Sequence, residues 1–315
     1  MNSLSPHRGH GAFGQICGLM AAAALAGASL LTLLERGRAE GSGGSSPCAT
    51  DSRSPAKRPS RDNDLKSKVR SNIAAVVDAD TSQLLYEKNP NKVNPIASIT
   101  KLMTAIVTLE AKLPLADVVV VSDEDVDDLK GTRSSLSIGS RLTREDMLHI
   151  ALMASENRAA ACLSRYYPGG RPAFIEAMNR KARELGMDNT HFVSPNGLSP
   201  ENVSTALDLV RLVKAAYQYP LIRHFSTDTQ YDVFVGKTGK RRLQYINTNR
   251  LVRRPGWEIG LQKTGYIIES GRCLVMEAQV DGRNLIMVFL DSYGKLTCFA
   301  DATRVRRQLA LQKGR

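Results

Sequence analysis

The spacing of apolar positions changes along the chain, and each change marks an element. IAAVVDADTSQLLYE, residues 73–87, holds two short β-like runs around a polar turn, which predicts a hairpin. In SITKLMTAIVTLEAK the apolar residues Ile99, Leu102, Met103, Ile106, Val107 and Leu109 recur at helical spacing, with Ser98 in the first turn. That helix is apolar over much of its circumference, so it is expected to be central and buried. A second helix is predicted from Thr143, which forms a capping-box pattern with Asp146, through Met147, Ile150, Leu152 and Met153 to Ala154. Ser155-Glu156-Asn157 then stands at a junction before another helical stretch, Ala159 to Leu163. Helices are predicted over 172–185 and 204–218, the latter started by Ser204-Thr205, with PNGLSPEN between them as a loop.

The last third changes to strand patterning. RCLVMEAQVD and NLIMVFLD flank Asp281-Gly282, a hairpin signal, and Lys263-Thr-Gly-Tyr-Ile-Ile is predicted as the strand before them. Residues 299–312 are expected to close the chain as a helix. A hairpin at the start, a helical middle and an antiparallel sheet at the end predict a two-lobed α+β domain. It is expected to span 71–315.

Residues 1–39 have a different pattern. His7, Arg8 and His10 precede an apolar run from Ile16 to Leu34, closed by Glu35-Arg36, which fits a signal peptide or a signal anchor. Residues 40–70, rich in Ser, Gly, Pro and basic groups, read as a disordered basic linker. The expected location is therefore exported, in the periplasm or on the outer face of the inner membrane. Membrane attachment is expected only through that N-terminal segment.

The net charge of +12 and the acid-free stretch Lys237 to Arg254 raise nucleic acid as a partner. Aromatics at 5% of the chain, the lack of a nucleic-acid-binding motif, and export argue against it, and a polyanionic envelope component fits better. Of the five cysteines, Cys162, Cys273 and Cys298 fall in the globular part; without CxxC spacing they are expected to be buried thiols, with one bridge left open. No metal site or cofactor is expected.

Candidate chemistry begins with Ser98 and Lys101, which one helical turn places side by side. A neutral lysine amine can take the proton of a serine hydroxyl if burial or a second cation lowers its pKa. The same spacing recurs at Ser54/Lys57, in the linker, and at Ser292/Lys295, in a turn, but only Ser98 opens a buried helix. Ser-x-Asn occurs at Ser155/Asn157, after a capped helix, and at Ser194/Asn196, which reads as turn chemistry. Lys-Thr-Gly also occurs twice. Lys237–Gly239 runs into Lys-Arg-Arg and reads as a surface turn, whereas Lys263-Thr264-Gly265 runs into an apolar strand.

In that order, Ser98-x-x-Lys101, Ser155-x-Asn157 and Lys263-Thr264-Gly265 resemble the three motifs of the penicillin-recognising serine D,D-peptidases, in particular the D-alanyl-D-alanine carboxypeptidases and endopeptidases. The resemblance covers residues 70–310 and implies a β-lactamase/transpeptidase-like fold acting on peptidoglycan stem peptides, with β-lactams as covalent inhibitors. It implies Ser98 as the nucleophile, Lys101 as its base, Ser155 as a proton relay and Asn157 as the group that holds Lys101 and the substrate amide. Lys263 and Thr264 would attract the substrate carboxylate, Gly265 would allow close approach, and the backbone N–H groups of Ser98 and Tyr266 would form the oxyanion hole.

Rival readings fit the residues less well. A class A β-lactamase would carry a deacylating Glu-x-x-x-Asn, whereas Glu176 and Asn179 are one residue too close and lie in a predicted helix. A drug-sensing receptor would need room for a signalling domain. His149, His191 and His224 have neither a Gly-x-Ser-x-Gly elbow nor a His-Glu-x-x-His helix to pair with, and are expected to be structural. A non-catalytic wall-binding module would show a broken motif, and none is broken. The carboxypeptidases carry a further β-rich domain, so a chain ending at Arg315 looks closer to the shorter endopeptidase-type members, with D-alanyl-D-alanine carboxypeptidase activity as the alternative.

Overall fold

The computed structural model describes residues 68–236 and 240–313. The apolar N-terminal run, the linker with Ser54/Lys57 and the first Lys-Thr-Gly copy, 237–239, lie outside the described residues. No described helix is long and apolar enough to cross a membrane.

A five-stranded antiparallel sheet carries the fold. Its strands are β1 (Ile73–Asp78), β2 (Leu84–Lys88), β9 (Glu258–Ile267), β10 (Gly271–Val280) and β11 (Arg283–Ser292), in the order β2-β1-β11-β10-β9. The first and last strands of the described residues therefore lie side by side, with Ala75 opposite Val288. The β10–β11 hairpin turns through Asp281 (φ 52°) and Gly282 (φ 77°), the left-handed pair that a two-residue turn needs to match strand twist.

Both faces of the sheet are covered, which explains the unbroken apolar runs in its strands. Ile73, Ala75 and Val77 of β1 point with Val275, Ile286 and Val288 into the core shared with the helical lobe. The alternate residues Ala74, Val76, Leu274, Met276, Leu285, Met287 and Phe289 pack against the C-terminal helix through Cys298, Ala302, Val305 and Leu309.

The helical lobe lies between β2 and β9 in sequence. A 3₁₀ turn, Ala97–Thr100, leads into α1 (Lys101–Glu110), which is buried along most of its length as its pattern predicts. The helix α2 (Arg144–Met153) has both halves of its expected Thr143/Asp146 capping box. Next come α3 (Asn157–Arg165), α4 (Gly170–Glu184), α5 (Ala206–Tyr217) with Thr205 as N-cap, and α6 (Pro220–Thr227). The C-terminal helix α7 spans Thr297–Lys313.

The structure also contains elements that the pattern does not announce. Short pairs join β3 (Asn94–Pro95) to β6 (Val203–Ser204) and β4 (Val118–Val120) to β5 (Arg141–Thr143). The basic stretch contributes β8 (Arg241–Ile246), paired with β7 (Gln230–Val235) as a separate two-stranded ribbon. Arg242, Gln244 and Ile246 face outward and Leu243 and Tyr245 inward, but the apolar Ile246 on the exposed face blurs the alternation of residue types. Cys162, Cys273 and Cys298 are free, buried thiols.

Candidate active site

Burial and a tight turn assemble the first wall of the cleft. Ala97 has φ 47°, unusual for a residue with a Cβ, and this kink places Ser98 half-exposed at the head of α1 while Lys101 is only 1% exposed. Lys101 Nζ lies 2.8 Å from Ser98 Oγ, 2.7 Å from Asn157 Oδ1 and 2.7 Å from the Asn196 carbonyl. Burial lowers its amine to about pKa 7, although the neighbouring Glu156 carboxylate acts in the opposite direction. Near neutral pH a substantial fraction of the amine therefore has a free lone pair. It can then accept the Ser98 proton while its two remaining hydrogens stay on Asn157 and Asn196.

Asn157 is itself held. Its Nδ2 donates to Thr132 Oγ1 at 3.1 Å, and Thr132 donates through that hydroxyl to Asp127 at 2.7 Å. The Asp127 carboxylate also accepts the backbone N–H groups of Leu129, Lys130 and Thr132. Ser155, just before the α3 cap, sits at φ 63° and lines the cleft. Such strain in a non-glycine residue persists only where its surroundings fix it.

The second wall is β9. Lys263 and Gly265 share the face turned to the helical lobe, as their register partners Val275 and Cys273 do. A Cβ on Gly265 would stand 2.9 Å from the Ile96 carbonyl and 3.1 Å from Ser98 N, so only glycine lets the strand come this close. Lys263 is fully buried and its Nζ donates to the Thr264 carbonyl at 2.9 Å. Burial, reinforced by the charge of Lys101, drives its amine well below the usual lysine range. Lys263 thus stands behind the cleft surface, whereas Thr264, Gly265 and Tyr266 line it.

The cleft between these walls holds about 350 Å³. Ser98, Ser155, Asn157, Thr264, Gly265 and Tyr266 all line it, although they come from three segments spread between positions 98 and 266 of the chain. The Ser292/Lys295 pair does not form a second centre. Ser292 is buried and bonded to Ser71 Oγ at 2.7 Å, while Lys295 is exposed on the cleft rim.

Other site residues carry no short motif. Thr248 Oγ1 lies 2.7 Å from Thr264 Oγ1, and Arg250 lines the cleft beside them. The loop around Asn196 reads in sequence as a turn, and it is one, yet its carbonyl reaches Lys101. Two things hold it there. Gly197 (φ 78°) lies so close that a Cβ would overlap the Ala97 carbonyl, and the buried Asn202 bonds Ser194 N, Ser194 O and Thr100 Oγ1. Asn202 offered no signal beyond its place in a polar loop.

The residues weighed for other chemistries lie elsewhere. Asn179 bonds the backbone of Phe192 through both ends of its amide, and neither it nor Glu176 lines the cleft. His149 is stacked between Phe225 and Tyr231, with Asp228 3.0 Å from its Nε2. Among the described residues no cluster of three or more His, Cys, Asp or Glu could hold a metal ion.

Comparison with known proteins gives the same picture. The family model described as D-alanyl-D-alanine carboxypeptidase matches residues 57–294. A Pseudomonas aeruginosa protein named D-alanyl-D-alanine endopeptidase is 48% identical over 245 residues, 78% of this chain and 79% of that one. An Escherichia coli K12 protein of the same name is also 48% identical, over 76% of each chain. Among solved structures, the Streptomyces K15 DD-transpeptidase superposes with a TM-score of 0.71 at 28% identity, covering 76% of this chain and 97% of the other. Penicillin-binding protein D2 from Listeria monocytogenes, in its cefotaxime-bound form, gives 0.67 at 28% identity over the same shares.

Proposed function

The chain belongs to the D-alanyl-D-alanine carboxypeptidase family, and from that premise we propose that it hydrolyses D-alanyl peptide bonds of peptidoglycan through an acyl ester on Ser98, cross-links before free pentapeptide ends. The observation that carries this reading is the 2.8 Å contact between Ser98 Oγ and a buried lysine amine brought down to about pKa 7.

Neutral Lys101 takes the hydroxyl proton as Ser98 Oγ bonds to the D-alanyl carbonyl carbon. The developing oxyanion is received by the backbone N–H groups of Ser98 and Tyr266, which the close approach at Gly265 supports. The hydroxyl of Ser155 carries the proton from Lys101 to the leaving amine as the carbon–nitrogen bond breaks. Lys101 then takes a proton from water as the water oxygen attacks the ester carbon, and returns it to Ser98 Oγ as the ester carbon–oxygen bond breaks and the acid product leaves. Thr264, with Thr248 and Arg250 beside it, is placed to receive the substrate carboxylate, and Lys263 holds the Thr264 carbonyl from behind.

The preference for cross-links rests on the two relatives named endopeptidase at 48% identity, above the 34% of a Bacillus subtilis relative named carboxypeptidase. The apolar run Ile16–Leu34 supports export, with action in the periplasm or on the outer face of the inner membrane. The cefotaxime-bound relative supports β-lactams as acylating inhibitors. Purified protein given cross-linked and uncross-linked muropeptides side by side should convert the cross-linked dimer to monomers, followed by mass spectrometry. Release of free D-alanine from pentapeptides alone would make it a carboxypeptidase.

A further inference from the structure

The cleft does not end at its rim. Lys295 and Leu296, on its edge, also line a second hollow with Arg70, Ala300 and Arg304. Ala300 and Arg304 in turn line a third, of about 470 Å³, with Arg254 and Arg307. Together these hollows form one groove that leads from Leu296 along a stripe of α7, on which positions 300, 304, 307 and 311 follow one another at helical spacing. From Ala300 to Leu311 the helix rises roughly 17 Å at about 1.5 Å per residue. An extended four-residue peptide spans only roughly 13 Å.

The charge of this groove is one-sided. Among the described residues no Asp or Glu lines either hollow beyond the cleft. The carboxylate nearest in sequence, Asp301, is on the buried face of α7, where it accepts Ser71 N, Ser71 Oγ and Arg304. Lys295, Arg70, Arg254 and Arg307 are exposed and form no ion pair with any described residue. Some arginines elsewhere on the domain are paired, as Arg144 is with Asp117, Arg165 with Asp125 and Arg242 with Asp232, so it is the absence of acidic lining that sets this groove apart. Apart from Arg304, which Asp301 pairs, this row of like charges has no counter-charge among the described residues, and such a row concentrates anions along its length.

We propose that this groove is a second binding site, which takes the carboxylate-bearing peptide and glycan strand beyond the bond being cut. The inference rests on the peptidoglycan reading above and extends it from the cleft to the polymer. Continuity with the cleft favours the substrate's own polymer over a membrane surface, because a strand held at Ser98 passes Lys295 and enters the groove, which a flat bilayer cannot follow. The carboxylates of successive stem peptides would each meet a cation along α7. Arg254, Arg304 and Arg307 would then set how well a polymer is held without touching the reacting atoms.

The test compares a small ligand with a large one. In the double variant Arg254→Glu/Arg307→Glu, both positions are exposed and outside the cleft, so fluorescent penicillin should acylate Ser98 within about twofold of the unmodified rate, which also verifies folding. Binding to purified insoluble peptidoglycan, measured by co-sedimentation in an inactive Ser98→Ala background, should fall about tenfold or more at low salt. Added salt should weaken the unmodified protein more steeply than the variant. Peptidoglycan whose carboxylates have been amidated should bind the unmodified protein as weakly as native polymer binds the variant. Unchanged peptidoglycan binding in the charge-reversed protein overturns the proposal. So does loss of binding to vesicles containing phosphatidylglycerol while peptidoglycan binding is kept, since the groove would then be a membrane-facing surface. Binding is read without cleavage, so an enzyme that cut no cross-links would refute the activity and leave the groove's result intact.

Discussion

The two walls of the cleft each present a buried lysine, and the same residue type meets different surroundings on each. On the α1 wall Lys101 makes contacts to a hydroxyl, an amide oxygen and a loop carbonyl that come from three separate segments. On the β9 wall the contact found for Lys263 is to the carbonyl of its own neighbour, Thr264. Burial lowers both amines, yet only Lys101 touches a group that can give it a proton. Which of the two buried amines can exchange a proton with the serine is therefore set not by burial but by the partner within hydrogen-bond reach. A lowered pKa becomes chemistry only where a reacting atom is in contact.

The largest effects should fall on the α1 wall. Ser98→Ala should abolish covalent labelling by fluorescent penicillin while thermal unfolding stays near that of the unmodified protein; persistent labelling would remove Ser98 from its role. Lys101→Met should lower the acylation rate constant by on the order of 10²–10⁴-fold, the usual worth of a general base. The loss for Lys263→Met should be smaller, because a base would remain, and equal losses for the two would break the contrast between the walls.

The pH profile sharpens that contrast. Lys101 titrates at about 7, charged below and neutral above, so acylation by penicillin should rise as pH increases through about 7 and then level off. A rate that instead falls over this interval would mean that the reactive form of Lys101 is the charged one.

The supports of each wall should give intermediate and small effects. Gly265→Ala forces β9 away from the Ser98 turn, and a displacement of about 1 Å at a reacting centre can cost on the order of 10²-fold in acylation. Thr132→Val removes the hydroxyl that holds the Asn157 amide, one hydrogen bond of about 1 kcal/mol, and should slow acylation roughly fivefold without displacing its pH midpoint. An effect of Thr132→Val as large as that of Lys101→Met would mean that the Asp127–Thr132–Asn157 chain does more than orient.

Much of this molecule is legible in the sequence wherever the cause is local. The β10–β11 hairpin follows from Asp281-Gly282 between apolar runs, the start of α2 from Thr143 and Asp146, and the buried α1 from its spacing. Ser98 and Lys101 become neighbours through one helical turn, although the sequence does not announce the 3₁₀ geometry that leads into α1. The ribbon β7–β8 alternates in burial, but its exposed positions include the apolar Phe234 and Ile246, so the alternation of polar and apolar residue types that would announce it is blurred. Asn196 escaped because the atom it contributes is a backbone carbonyl, which every residue possesses and no motif can mark.

The sequence by itself determined the order of the motifs, the elements that bear them and the residue types able to do the chemistry, because each depends on contacts within a turn or a strand. Only the tertiary structure decided which lysine meets the serine's hydroxyl, which loop carbonyl completes its coordination and how close β9 comes to Ser98. Those are distances between segments far apart in the chain, fixed by the packing of α1 against the sheet and by glycines at 197 and 265 that leave no room for anything larger. The continuation of the cleft along α7 is of the same kind, since Arg70 and Arg254 reach that groove only because the two ends of the domain share one sheet.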